Sequence, residues 1–168
     1  MPGGPAPAAP LARTLRWLAR RDRSVQEVRA RLAEWGVPAD DADAVLEHLR
    51  DRGYLNDAAL AARLCDWHDR HDPLGPAGLR RRLGRRGIPA AEIEDALAGR
   101  GDAERQRGLA SALAARRAAA QAGVPALARW RRLRNYLVRR GFDAAIVNEI
   151  CEPLLAEARE AEDAEALD

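Results

Sequence analysis

Val28-Arg-Ala-Arg-Leu32-Ala-Glu-Trp35-Gly36-Val37-Pro38 decides the fold, because the chain writes it twice more. Leu79-Arg-Arg-Arg-Leu83-Gly-Arg-Arg86-Gly87-Ile88-Pro89 follows 51 residues later, and Leu133-Arg-Asn-Tyr-Leu137-Val-Arg-Arg140-Gly141-Phe142-Asp143 another 54 residues on. All three align without gaps. The shared grammar is apolar, three residues, apolar, three residues, Gly, apolar. Apolar residues at i and i+4 share one face of a helix. A Gly after the last turn takes the left-handed conformation that ends a helix, and the apolar residue after it packs back on the helix end. Pro or Asp then starts the next helix. That next helix carries a second repeated pair: Val45 and Leu49, Ile93 and Leu97, Ile146 and Ile150.

A helix before each motif completes a unit of three. In the first, Leu11, Leu15 and Leu18 precede Asp22, and Ser24-Val-Gln-Glu27 is a capping box that opens the second helix. In the second, a helix opens after Asn56-Asp57, sets Leu60, Leu64 and Trp67 on one face, and breaks at Asp72-Pro73-Leu74-Gly75-Pro76. In the third, a helix opens near Asp102 and runs toward Gly123-Val124-Pro125. The expected fold is therefore all-α. Three tandem three-helix repeats span 11–55, 56–100 and 101–156, with a kink or break expected at Pro153. Units of about 50 residues barely bury their own cores, so neighbours should lean on each other in an elongated or curved, right-angled helical array. Residues 1–10, rich in Pro, Gly and Ala, read as a disordered tail rather than a signal peptide. Residues 157–168 read as an acidic C-terminal tail.

Composition agrees with helix. The 168 residues hold one Thr, seven Val and four Ile, the types strands favour, and aromatics make up 4%. The two cysteines, Cys65 and Cys151, form neither a disulfide framework nor a metal pattern, which suits a reducing cytoplasm. Without an 18-residue apolar run, no membrane span is expected. His68, His71, Asp66, Asp69 and Asp72 cluster between helix and loop, but their spacing fits no ligand arrangement well, and helix-end residues are the plainer reading. No Gly-rich phosphate loop and no nucleophile-plus-base constellation is visible. We expect no catalytic residue, no cofactor and no metal.

Charge is where function shows. The net charge is +2, and all 28 basic residues are Arg. Residues 157–168 hold one Arg against six carboxylates, net −5, so the rest carries about +7. The second helix of each unit grows more basic along the chain: net 0 over 25–35, +5 over 76–86 and +6 over 128–140. At 100° per residue, Arg81 and Arg85 point away from Leu79 and Leu83, with Arg82 flanking. Arg131, Arg132 and Arg139 point away from Leu133 and Leu137. Two basic ridges at matched positions suggest an electrostatic surface for nucleic acid or for an acidic protein groove. Contacts of that kind are salt-dependent and sequence-tolerant. The plainer alternative is a solvated helix face whose Arg86 and Arg140 favour the helix C-terminal dipole.

Together these stretches resemble the RecX family, bacterial regulators of the RecA recombinase. The resemblance covers about residues 11–156. Its most specific part is Gly53-Tyr54-Leu55-Asn56-Asp57 followed by Leu60-Ala61. Leu18-Ala19-Arg20-Arg21 with Ser24-x-x-Glu27-Val28 is similar to the family's opening, and Gly75-Pro76 before Leu79 and the run Leu137–Phe142 are similar too. The loop before Gly75, basic in many relatives, is here His68-Asp69-Arg70-His71-Asp72-Pro73. The resemblance implies a non-enzymatic modulator, acting as a monomer on the RecA–single-stranded-DNA filament without regard to sequence. It would bind in the helical groove of the filament, block growth or promote disassembly, and restrain strand exchange, ATP hydrolysis, the co-protease response and so the SOS response. Arg81, Arg82, Arg85, Arg131, Arg132 and Arg139 are the expected contacts. Gly36, Gly87, Gly141 and Gly53–Asp57 are expected to be structural. A stand-alone helix-turn-helix DNA-binding protein is the competing reading, though nearly pure Arg argues for backbone contact over base reading.

Overall fold

The computed structural model describes residues 7–118 and 123–165, with side chains as far as residue 160. Among them are nine helices and no strand: α1 (Ala8–Leu18), α2 (Val25–Glu34), α3 (Ala39–Asp51), α4 (Asp57–His71), α5 (Pro76–Gly84), α6 (Ala90–Leu97), α7 (Ala103–Ala118), α8 (Ala126–Arg140) and α9 (Ala144–Glu165). The chain divides into two compact units. Unit 1 is Met1–Cys65 with Arg82–Ala96, and unit 2 is Asp66–Arg81 with Leu97–Asp168. Helices α4 and α5 thus contribute residues to both.

All three repeated motifs end their helices in one way. Gly36, Gly87 and Gly141 have φ of 74°, 70° and 81°. Val37, Ile88 and Phe142 then donate their backbone N–H to the carbonyls of Leu32, Leu83 and Leu137, at 3.1, 3.4 and 3.3 Å. This six-to-one bond satisfies a carbonyl that the helix end would otherwise orphan. Gly53 repeats the device at the end of α3, with φ of 72° and Tyr54 N–H donating to Leu49 O at 2.8 Å. Leu32, Leu83 and Leu137 are each fully buried, a burial that stabilises by about 1.5–3 kcal/mol per side chain.

Unit 1 packs Val28, Leu32, Val45, Leu46, Leu49 and Leu55 into one core, flanked by Leu11, Leu15 and Leu18 of α1. Its second helix opens on the expected capping box. Ser24 Oγ accepts from Glu27 N–H, and Glu27 accepts in turn from Ser24 N–H. Unit 2 packs Leu113, Leu133, Leu137, Phe142, Ile146 and Val147 together, with Trp130 and Tyr136 partly buried beside them.

Several boundaries differ from the sequence reading. α1 begins at Ala8, inside the expected tail 1–10; Pro10 sits in the first turn, where a missing N–H costs nothing. Residues 1–6 of that tail, residues 119–122 of the expected seventh helix and residues 166–168 lie outside the described residues. α9 runs through Pro153 as one continuous helix and carries the start of the acidic stretch, where Ala158 is buried and Glu157 pairs with Arg129. On α4 Leu60 is buried as expected and Leu64 half-buried, but the buried face turns through Ala61, Cys65 and His68, and Trp67 is 48% exposed. Spacing alone cannot separate two faces 100° apart when both carry apolar residues. Both cysteines are buried.

Candidate functional site

The arginines sort into two populations. One fastens the fold. In unit 1, Arg86 Nη2 and Nε donate to the Glu27 carboxylate at 2.6 and 3.2 Å, and Nη2 also reaches the Asp22 carbonyl at 2.9 Å. Burial pushes Glu27 up, but the bonds from Arg86 and from Ser24 N–H outweigh it and hold the carboxyl below its ordinary value. Ser24 Oγ donates to the Arg86 carbonyl, and the carboxylate of Asp57 accepts from Val25 N–H at 3.0 Å. In unit 2, Arg140 bonds the Asp72 carboxylate and the Pro73 carbonyl. Arg100 bonds Asp66 and Asp69, Arg105 bonds Asp69, and Arg129 bonds Glu157.

These pairs also account for the His and Asp cluster of the sequence. Asp66, Asp69 and Asp72 are partners of arginines. His68 is buried with Nδ1 at 3.0 Å from the Asp72 carbonyl, and His71 stacks on Trp67 with ring centroids 5.2 Å apart. Among the described residues no group of three or more His, Cys, Asp or Glu is placed to hold a metal ion.

The second population has no carboxylate partner among the described residues. It includes Arg81, Arg82, Arg85, Arg131, Arg132 and Arg139, all six exposed. In unit 1, Arg82 and Arg85 line a shallow pocket of about 260 Å³ with Arg21, beside the Glu27–Arg86 pair. In unit 2, Arg81 donates to the carbonyl of Arg139 at 2.8 Å, which ties the start of α5 to the last turn of α8. Arg131 and Arg132 lie earlier on α8. Gly75 and Gly78 make that tie close: Gly75 N–H donates to Arg140 O at 3.1 Å, and a Cβ on Gly78 would stand 2.1 Å from the same oxygen.

Gly53, Tyr54, Leu55, Asn56 and Asp57 have distinct roles in unit 1. Gly53 ends α3, Leu55 is buried, and Asn56 Oδ1 accepts from Ala59 N–H at 2.8 Å to cap α4. Asp57 reaches the start of α2, as above. Tyr54 is 59% exposed, on the rim of a groove of about 820 Å³ that Leu15, Leu18, Leu60 and Arg63 also line.

One cluster has no counterpart in the sequence reading. In unit 2 a pocket of about 560 Å³ gathers Arg116 and Arg117 of α7, Arg132 and Tyr136 of α8, and His71 and Asp72. Arg117 lies over the Tyr136 ring at 4.1 Å from its centroid, and Arg140 at 5.0 Å. The doublet Arg116-Arg117 reads in sequence as an ordinary basic helix end.

Fold and surface define an all-helical protein that presents Arg81, Arg82, Arg85, Arg131, Arg132 and Arg139 exposed and without carboxylate partners among the described residues. Residues 11–49 match the family model of the first three-helix domain of RecX. The chain is 33% identical over 139 residues to a regulatory protein RecX of Leptothrix cholodnii, covering 82% of this chain and 84% of that protein. It is 33% identical over 133 residues to a RecX of Geobacillus kaustophilus, covering 79% of this chain but only 49% of the longer relative. A crystal structure of regulatory protein RecX superposes with a TM-score of 0.77 at 26% identity, over 86% of this chain and 72% of that one. The chain belongs to the RecX family of regulatory proteins.

Proposed function

We propose that this protein restrains the RecA recombinase by binding the RecA–single-stranded-DNA filament and opposing its extension, ATPase and co-protease activity. The family membership supports the reading. The observation that carries it is a set of six cations, Arg81, Arg82, Arg85, Arg131, Arg132 and Arg139, exposed without carboxylate partners among the described residues. Exposed guanidiniums on helix faces suit phosphates or acidic protein surface, with affinity that falls with salt. We propose further that the chain is organised as three-helix repeats 11–55, 56–100 and 101–156, and that the protein works as a cytoplasmic monomer without catalysis.

The test is filament disassembly. RecA filaments are pre-formed on single-stranded DNA, the protein is added below stoichiometry, and ATP hydrolysis and filament length are followed. Both should fall; no effect on either refutes the reading. The double variant Arg85→Glu/Arg139→Glu should weaken filament binding and flatten its salt dependence by about 1.4 in log–log slope, the single-strand value for two phosphate contacts. Unchanged binding and slope would remove these residues from the interface. A sequence-specific footprint on duplex DNA would favour a stand-alone DNA-binding protein instead.

A further inference from the structure

We infer that the pocket between α7 and α8 in unit 2 binds one nucleotide unit, its phosphate on Arg116, Arg117 and Arg132 and its base against His71. The inference rests on the filament reading only in taking nucleic acid as the partner, and its residues are mostly outside the two ridges. Three guanidiniums from two helices converge on a space of about 560 Å³, inside the roughly 300–1,000 Å³ span of small-ligand sites. Arg116 and Arg132 are exposed and have no carboxylate partner among the described residues. Arg117 places its guanidinium carbon over the Tyr136 ring, 4.1 Å from the centroid, a contact that holds the group beside the pocket while its fork of N–H donors suits two phosphate oxygens. Asp72, an acidic residue of the pocket wall, is bonded to Arg140, so its charge is already met. An anion entering the pocket therefore finds uncompensated positive charge.

The aromatic side of the pocket selects among anions. His71 lines the wall, and its ring is stacked on Trp67, 5.2 Å between centroids and 20° between planes. Trp67 is itself half exposed, an unusual fate for the largest apolar side chain at the end of a packed helix. A carboxylate on an acidic protein would use the arginines and leave the rings idle. A nucleotide uses both, and stacking of one base on such a platform tightens binding roughly 5- to 150-fold. A free nucleotide and a unit of a single strand present the same chemistry, and the test separates the sources.

The full-length protein is titrated with adenosine 5′-monophosphate while tryptophan fluorescence is read, and separately with a labelled oligothymidine while anisotropy is read. Strand binding that the pocket variants weaken supports the site, with or without binding of the free nucleotide, which says whether one unit suffices. The quench should vanish in Trp67→Phe, which leaves Trp17, Trp35 and Trp130. Arg116→Ala/Arg117→Ala should weaken strand binding at least tenfold with helicity unchanged. Should that variant lose helicity, Arg116→Lys/Arg117→Lys keeps the charge and removes the fork, and should still weaken binding several-fold. Arg16→Glu, at an exposed position of α1 in unit 1 outside every proposed contact, should leave the quench unchanged. Binding within twofold of wild type in the pocket variants, a quench that survives Trp67→Phe, or polyglutamate binding as tightly as the strand each overturns the inference. Pocket variants that bind nucleotide normally yet leave filament disassembly intact refute the pocket alone; nucleotide binding through the pocket with filaments unaffected refutes the regulator reading alone.

Discussion

Gly141 offers the sharpest test of the packing in unit 2. Gly36 and Gly141 end equivalent helices at φ of 74° and 81°, so Ala at either loses the same left-handed freedom, about 1–2 kcal/mol. Their surroundings differ. A Cβ on Gly36 meets nothing within 4 Å, whereas one on Gly141 would stand 2.1 Å from Gly78 N, 2.7 Å from its Cα and 2.8 Å from the Ala77 carbonyl carbon. Carbon contacts are comfortable at about 3.5–4 Å, so the α5 backbone must retreat by roughly 1 Å or more. That retreat strains the Gly75 N–H to Arg140 O bond and the Arg81 bond to Arg139 O. At about 0.5–1.5 kcal/mol each, their loss adds roughly 1–3 kcal/mol. Gly36→Ala should therefore cost about 1–2 kcal/mol and Gly141→Ala about 2–5 kcal/mol. Urea denaturation followed by circular dichroism measures both. Equal costs, within about 0.5 kcal/mol, would mean that the glycine-on-glycine contact does not constrain unit 2.

Three further outcomes follow from the same geometry. Glu27→Gln should cost about 1–3 kcal/mol at pH 7, because the Arg86 fork loses its anion. Glu27 titrates below its ordinary 4.5 when folded, so its contribution is present above that value and is lost as pH falls through the folded one; the gap between wild type and variant in urea midpoint should close in acid. Asp57 runs the other way. Burial, opposed by Val25 N–H and reinforced by Glu92, lifts it above its ordinary 3.8, so its contribution is present below that value and is lost as pH rises. Asp57→Asn keeps an acceptor for Val25 and should match or exceed wild-type stability at pH 7, whereas Asp57→Ala should lose about 0.5–2 kcal/mol; a thermal melt separates the two. Leu83→Ala, at a fully buried position, should cost about 2–5 kcal/mol in the same denaturation assay.

What the sequence makes legible is local. The Leu32, Leu83 and Leu137 ladders and their three glycine caps are written in consecutive residues, and so is the Ser24–Glu27 box. The outward direction of Arg82, Arg85, Arg131 and Arg139 follows from helical phase, and all four are exposed. What stays hidden depends on residues far apart in the chain. Arg86 counts toward the α5 ridge by composition, yet Glu27, 59 residues away, takes its charge. Arg140 is likewise met by Asp72 across 68 residues. The backbone contact of Gly78 with Gly141 and the meeting of Arg116, Arg117 and Arg132 in one pocket are of the same kind. Trp67 and His68 show the finer limit: both are plausible on a buried face, and packing chose the histidine, whose ring nitrogen finds the Asp72 carbonyl.

The residue just before each cap glycine has a direction in time. Trp35 holds Arg13 at 4.0 Å over its ring and meets Trp17 edge-on at 6.2 Å. Arg86 reaches to Asp22 and Glu27, and Arg140 to Asp72 and Pro73. Every one of these grips runs backward, toward chain already synthesised. A ribosome delivers the polypeptide from the N-terminus at roughly 5–20 residues per second, so each helix hairpin finds its anchor waiting when its own glycine emerges. None of these three fastenings has to wait for a segment not yet made. Assembly can therefore advance like a ratchet, one motif at a time, with each click completed before the next repeat leaves the ribosome.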